Sequence, residues 1–483
     1  MLQEVLNKYK AFPVQVRASM WFLVCSFLQK GISVLTTPIF TRLLSTAEYG
    51  QYNVFNSWLG IITVFVSLNL SAGVYSTGLV KFEEDRPRFI SSMQGLTLVL
   101  LLLWTGIYLI LHDFWNQLFS LTTVQMIAML VMIWTTSVFS FWAAEQRVTY
   151  NYKTLVYLTI IVSLLKPIVG IVLVLHAENK VLARILGLVL IELIAYLGLF
   201  IIHVRRGRVL YIKKYWKYAL AFNIPLVPHY LSQTVLSSAD RIMITDMVGD
   251  SEAGIYSLAY SLSLIMLLFN SSLLSTISPW IYQRIKVKSV VEIGSVSYIA
   301  LAIIALVNLV LIAFAPEAVA IFAPIEYEDA IWVIPPVAMS AYFMFCYDLF
   351  AKFQFYYEKT QYIMFASVCG AILNIILNYL LIPIFGYYAA GYTTLFCYVV
   401  YVIAHYVFMR MVCREYLDDV RVFNTKNLVI ITAIFLGLGF LLMFTYNWLV
   451  IRYLLIIVLL VILFLKRKLL FEKIKVILSV RKK

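Results

Sequence analysis

Charge is scarce in this 483-residue chain: only 13% of its residues are Asp, Glu, Lys or Arg. A soluble domain of ordinary composition carries roughly a quarter. With 63% hydrophobic residues and a mean hydropathy of +0.91, there is too little polar surface to cover a water-facing core. That excludes a soluble globular protein and makes lipid the solvent on most sides. Cysteine is scarce too. Cys25, Cys346, Cys369, Cys397 and Cys413 are odd in number and lack metal-ligand spacing, so neither a disulfide framework nor a metal site is expected, and they read as small packing residues. Long polar segments are missing as well. No connecting loop runs much beyond twenty residues, so function must be built from helices and short turns. Strict two-residue alternation is absent from the apolar runs, for instance Leu96 to Leu111 or Leu428 to Phe444, which excludes a transmembrane barrel. No cleavable signal peptide is read at the start, where the first apolar segment leads directly into further ones.

What remains is an all-α integral membrane protein. Breaks in hydropathy predict about fourteen transmembrane helices, near 18–41, 51–73, 91–111, 122–144, 155–175, 183–203, 218–241, 253–275, 291–315, 329–350, 361–382, 389–409, 428–446 and 452–465. The N-terminus, every second loop and the C-terminal tail together hold 31 of the 38 basic residues. That asymmetry predicts that these loops and both termini are cytoplasmic. It also accounts for the net charge of +14 without nucleic acid as a partner. The tail, Lys466 to Lys483, reads as a basic amphipathic helix with Leu470, Ile474, Ile477 and Leu478 on one face, suited to an anionic leaflet.

Two short patterns recur. Glu48-Tyr49-Gly50-Gln51-Tyr52 follows Thr41-Arg42, and Glu252-Ala253-Gly254-Ile255-Tyr256 follows Asp240-Arg241. Tyr150-Asn151-Tyr152-Lys153-Thr154 is echoed by Tyr356-Tyr357-Glu358-Lys359-Thr360. The two matches have nearly one offset and fall at equivalent places among the predicted spans. This predicts two pseudo-symmetric six-helix lobes in parallel orientation, residues 1–210 and 211–412, with the last two helices and the tail, 413–483, outside the repeat.

Most spans are uniformly apolar, but the first and seventh are not. Ser26, Lys30, Ser33, Thr37 and Thr41 recur at helical spacing and end at Arg42; His229, Gln233 and Ser237 do so and end at Asp240-Arg241. A charge at mid-membrane costs about 2.5–3.5 kcal/mol on insertion scales. Such groups persist where they face a wet cavity, a partner or a ligand. Lys30, Arg42, His229, Gln233, Asp240 and Arg241 are therefore candidate substrate-binding residues, with Lys166, beside the helix-distorting Pro167, as a further mid-span base. Glu192 and Asp348 are the mid-span acids, each open to two readings: an ion-coupling site, or the partner of a base. His405 reads as a hydrogen-bonded packing residue before a proton relay, and Asn374 and Asn378 as groups that bond neighbouring helices before sugar hydroxyls. Pro225 and Pro228 mark either a broken segment or an ordinary helix start.

The stretch Thr36-Thr37-Pro38-Ile39-Phe40-Thr41-Arg42-Leu43-Leu44, followed by Glu48-Tyr49-Gly50-Gln51-Tyr52, resembles the opening of Wzx-type O-antigen and polysaccharide repeat-unit flippases. So does Asp240-Arg241-Ile242-Met243-Ile244 with Gly254-Ile255-Tyr256. These belong to the multidrug/oligosaccharidyl-lipid/polysaccharide exporter superfamily. The resemblance implies a central cavity lined largely by helices one, two, seven and eight, and alternating access. The implied substrate is an undecaprenyl-diphosphate-linked glycan moved from the cytoplasmic to the periplasmic leaflet, as in lipopolysaccharide biosynthesis. It further implies membrane lipids, the polymerase and the chain-length machinery as partners, no cofactor, and coupling to H+ or Na+ as in an antiporter. Arg42, Asp240 and Arg241 match family positions, whereas Lys30, His229 and Lys166 rest on the residue pattern alone.

Three alternatives stand beside this reading. A drug exporter of the same superfamily moves organic cations and wants cavity carboxylates; here Lys30, Arg42, His229 and Arg241 face Asp240 alone, which favours an anionic ligand. A lipid-linked peptidoglycan-precursor flippase has equally suitable electrostatics. A membrane glycosyltransferase or polymerase would need a larger extramembrane loop or a carboxylate site; Glu83-Glu84-Asp85, Glu326 to Asp329 and Asp418-Asp419 read as solvated linkers. The chain is not read as an enzyme.

Overall fold

The computed structural model describes residues 13–465 together with Arg467 and Lys468. The basic tail expected over 466–483 lies otherwise outside the described residues. Chain contacts divide into two compact units, Met1–Thr234 and Val235–Lys483. The first holds α1 (Val14–Leu43), α2 (Thr46–Ser67), α3 (Val74–Lys81), α4 (Arg86–Ile110), α5 (His112–Phe119), α6 (Thr123–Val148), α7 (Tyr152–His176), α8 (Lys180–Gly207), α9 (Lys213–Asn223) and the start of α10 (Val227–Met247). The second holds the rest of α10, then α11 (Asp250–Ser263), α12 (Met266–Lys286), α13 (Val291–Ala313), α14 (Ala315–Phe322), α15 (Ile334–Tyr356), α16 (Thr360–Phe385), α17 (Tyr388–Tyr416), α18 (Thr425–Phe444) and α19 (Leu449–Leu465).

All fourteen predicted spans correspond to helices. Among the described residues, eleven helical stretches are long and apolar enough to cross a membrane, α11 and α12 counting as one. The other three are α2 and α10, which carry polar residues along their length, and α19, at 17 residues. Helix starts follow local chemistry. Ser45 and Glu48 form a capping box on α2, and Thr122 and Gln125 form one on α6. Several expected spans are interrupted, the one over 253–275 at Leu264-Ile265 between α11 and α12. The segment expected over 51–73 ends as α2 at Ser67, where Leu68 and Asn69 turn left-handed. The segment expected over 218–241 is split: α9 stops at Asn223, a short turn spans Ile224–Leu226, and α10 starts beyond Pro225. Proline supplies no backbone donor there, so the helix cannot run through.

In unit 1, Phe55, Tyr108, Met129, Ile133 and Ile185 form one buried cluster among α2, α4, α6 and α8. A second joins Val138, Trp142, Leu155, Val162 and Tyr196 of α6, α7 and α8. The linker helix α9 docks on the same unit: Trp216 donates to Ser92 O at 2.9 Å and Tyr215 to Asp85 Oδ2 at 2.6 Å. Asn223 donates to both Leu68 O and Asn69 O at 2.9 Å, covering the carbonyls freed where α2 ends.

In unit 2, α15 is the most enclosed span, buried along most of its length against α12, α13, α17 and α18. The last two helices are pinned rather than loosely appended. Tyr446 donates to Ile312 O at 2.6 Å, and Arg452, only 3% exposed, pairs with Glu317 of α14, which also accepts from Tyr453 at 2.6 Å.

The internal repeat reappears as local geometry. Tyr150 and Glu358 both adopt left-handed backbone, at φ 55° and 57°. In each turn the next N–H closes back on a glutamine carbonyl: Asn151 to Gln146 and Lys359 to Gln354, both at 2.9 Å. The turns therefore match with Glu358, not Tyr356, as the counterpart of Tyr150, two positions from the alignment suggested by the tyrosines. Lys359 also donates to Glu415 at 2.8 Å, which holds its ammonium above the usual lysine range.

Candidate functional site

The crossing of α7 and α8 sets up the site. A Cβ added to Gly187 would lie 3.0 Å from Gly170 Cα, so two glycines let the helix backbones touch. At that separation Lys166 Nζ reaches Glu192 Oε1 at 2.6 Å. The other carboxylate oxygen accepts from Thr135 Oγ1 at 2.7 Å and Thr136 Oγ1 at 3.4 Å, both on α6. The Glu192 side chain is 5% exposed and that of Lys166 is 25%. The acid is locked inside the helix packing, while the base reaches a cavity.

That cavity, about 210 Å³, lies wholly within unit 1. Gln29, Ser33, Thr36 and Phe40 line it from α1, Tyr52 from α2, Ser163, Lys166 and Pro167 from α7, and Arg184, Leu188 and Tyr196 from α8. The Arg184 guanidinium is sandwiched, with its carbon 3.9 Å from the Phe40 ring centre and 3.5 Å from that of Tyr52. Stacking fixes the plane of the cation and leaves its N–H edges for a ligand. Its Nη1 is buried and has no hydrogen-bond partner among the described residues. A planar donor with an unspent N–H, one wall from a lysine, suits an oxyanion.

The α1 face that lines the cavity differs from the expected stripe. Gln29, Ser33, Thr36 and Phe40 face it, so only Ser33 is shared. Ser26, Thr37 and Thr41 hydroxyls instead donate to carbonyls one turn back, of Phe22, Ser33 and Thr37, at 2.9, 3.0 and 3.1 Å. They spend their polarity on their own helix. Lys30 and Arg42 are exposed on α1; Arg42 donates to Pro38 O at 2.9 Å. His229 and Gln233 are half-buried in the unit 1 part of α10. Of the predicted bases, Lys166 is the one in the cavity wall, and the structure joins it to Glu192.

Asp240 belongs to unit 2 and is 1% exposed. It accepts from Tyr256 at 2.6 Å, Asn378 at 2.6 Å and Thr394 at 2.8 Å, tying α10 to α11, α16 and α17. Asn378 also accepts from Thr393 and donates to Asn374, so both asparagines act between helices as expected. Arg241 stacks on Tyr260, 4.3 Å from the ring centre. Asp348 lies 3.5 Å from Lys352 on the same helix. His405 is buried and bonded to Gln354 at 3.0 Å, a packing role.

Arg184 went unmarked because it stands one turn inside α8, near enough to a helix end to pass for an interfacial charge. The available signal was its spacing from Glu192, two helical turns on the same face. Among the described residues, no group of three or more His, Cys, Asp or Glu could hold a metal ion.

Residues 16–285 match the polysaccharide biosynthesis protein family, and residues 225–380 match the MatE family. The chain is 20% identical over 389 residues to protein 1 of the Lsg locus of Haemophilus influenzae, covering 74% of this chain and 88% of that one. Among solved structures, the lipid II flippase MurJ in an inward closed conformation superposes with TM-score 0.65 at 13% identity, over 93% of this chain and 99% of that one. An inward-facing MATE family transporter of the MOP superfamily gives 0.61 at 13%, over 80% and 95%. These structures share the fold of this chain, and the first family match spans more than half of the 483 residues: this chain belongs to the polysaccharide biosynthesis protein family.

Proposed function

We propose that this chain is a flippase, one that moves an undecaprenyl-diphosphate-linked oligosaccharide from the cytoplasmic to the periplasmic leaflet of a bacterial inner membrane by alternating access, with both termini cytoplasmic. The observation that carries this reading is the unit 1 cavity, where Lys166 and the stacked Arg184 present cations beside the neutral polar face of α1. That chemistry favours a phosphate or another oxyanion and disfavours an organic cation. Lys30, Arg42, His229, Gln233 and Arg241 are further proposed substrate contacts, while Asp240 is enclosed by Tyr256, Asn378 and Thr394 and holds α10 in place; residues 1–210 and 211–412 are proposed as the repeating lobes. The inside-negative potential favours outward movement of an anion by roughly 2.3 kcal/mol per charge per 100 mV. Coupling to H+ or Na+, with Glu192 and Asp348 as its sites, then serves to reset the empty carrier.

A second reading, a flippase for a lipid-linked peptidoglycan precursor, is supported by the likeness to MurJ across 93% of this chain. One experiment tests both. Proteoliposomes are loaded on one side with a short polyprenyl-diphosphate glycan or with a peptidoglycan precursor, and arrival at the other side is followed by enzymatic labelling. Transfer of the glycan that falls at least tenfold in a Lys166→Ala/Arg184→Ala variant supports the anion site, since losing two charge-assisted contacts is worth about 3 kcal/mol. Full transfer by that variant refutes it. Preference for the peptide-bearing precursor selects the second reading, and robust dye efflux without lipid transfer would select a drug exporter.

A further inference from the structure

Unit 1 holds a larger cavity unconnected with charge. It is about 330 Å³ and lies among α2, α4 and α6 beneath α5. Trp58, Trp104, Trp115 and Phe119 form its walls, and the exposed Phe65 and Leu118 stand among its lining residues. The aromatic walls are braced: the Trp58 and Phe119 ring centres are 4.5 Å apart, and Trp115 stacks on Phe119 at 5.5 Å. Tyr108 is the lone hydroxyl in the lining, and it is spent, donating to Asn116 Oδ1 at 3.0 Å; Asn116 in turn donates to Thr123 at 2.9 Å. Those bonds seat α5, an amphipathic helix whose Trp115 and Phe119 turn inward while His112 and Asp113 stay exposed. Tryptophan and an amphipathic short helix of this kind belong at a membrane–water interface.

A cavity of this size with no polar group to spare cannot hold ordered water. Left empty, its walls would forfeit dispersion contacts, and packed interiors rarely tolerate such voids. Phe65 and Leu118, exposed among its lining residues, make the accessible part of the cavity apolar, as a lipid-facing surface is. We infer that this cavity is a binding site for one acyl chain of a bilayer phospholipid, which packs as part of unit 1 and supports α5. The occupant is bulk lipid rather than the tail of a rare polyprenyl carrier, because a wall without a polar anchor cannot discriminate and mass action then decides. The inference needs only that the chain is membrane-embedded, and stands apart from the transport reading.

The full-length protein extracted in mild detergent should carry one phospholipid adduct in native mass spectrometry. Phosphatidylglycerol with a photoactivatable acyl terminus should label peptides containing residues 58–66 and 104–119. Filling the cavity with Ile62→Trp, or separately with Leu130→Phe, should lower adduct and labelling about fivefold, while Leu102→Trp on an exposed face should change neither. Thermal unfolding in parallel identifies a variant that failed to fold, and the other then decides. Adduct and labelling undiminished in the folded variants would overturn the inference, as would labelling no stronger than at the Leu102 face. Preferential labelling by a polyprenyl-phosphate probe at equal concentration would overturn the assignment to bulk lipid.

Discussion

Separating Lys166 from Glu192 offers the sharpest test of how the charged cavity is built. At 2.6 Å and an effective dielectric of about 20, the attraction is about 6 kcal/mol before desolvation. Desolvation of the two ions recovers several kcal/mol of that. Glu192 carries most of this cost, because it is almost fully enclosed, and Lys166 less, because a quarter of it is exposed. A net coupling of about 2 kcal/mol results. Lys166→Met should destabilise by about 2 kcal/mol, since it strands a carboxylate with only Thr135 and Thr136 as donors. Glu192→Leu should cost a similar amount by stranding the ammonium. The double variant should cost about 2 kcal/mol, not 4, because two apolar chains of similar volume can pack where the pair stood. A thiol-reactive dye reports unfolding here, since Cys25, Cys346, Cys397 and Cys413 are buried, and Cys369→Ser removes the exposed background. For units of this size each kcal/mol is about 2–4 °C in Tm. Additive losses in the double variant would refute the pairing and with it the placement of Lys166 at the cavity wall.

Arg184→Lys should behave like Arg184→Ala in lipid-glycan transfer, both at least tenfold down, because an ammonium cannot fill the planar slot between Phe40 and Tyr52; transfer assays in proteoliposomes check this. Asp240→Ala should destabilise unit 2 by about 3 kcal/mol, stranding Tyr256, Asn378 and Thr394, whereas Asp240→Asn should lose less; thermal unfolding of the two variants separates them. Gly187→Leu should cost more than 3 kcal/mol and abolish the Lys166–Glu192 coupling, because any side chain there meets the backbone of Gly170; the same double-variant cycle in that background measures it.

The membrane class and the fourteen spans were legible because hydropathy is a local signal and the solvent enforces it residue by residue. Interruptions were harder. The start of α9 lies in a run of lysines that reads as a cytoplasmic loop, yet Tyr215 and Trp216 seat it on α4. The polar stripe of α1 is legible, but not which face meets the cavity, since Thr36, Thr37 and Thr41 all bond their own backbone and yet only Thr36 of the three lines the cavity. Lys166 and Glu192 were both singled out, but their pairing depends on how closely α7 and α8 approach. Gly170 and Gly187 decide that, and a glycine in an apolar run announces no partner. Arg184 was hidden for a related reason: its aromatic neighbours come from α1 and α2, far away in sequence.

The clasp between α19 and α14 bears on how far this chain tolerates shortening. A protein truncated before Arg452 would keep twelve repeat spans and α18, and by topology alone should insert. It would also leave the Glu317 carboxylate without Arg452 and Tyr453, its two donors from the lost helix. The final helix thus neutralises a charge belonging to the body of the protein, and its removal should be felt as misfolding of α14 rather than as loss of a dispensable anchor.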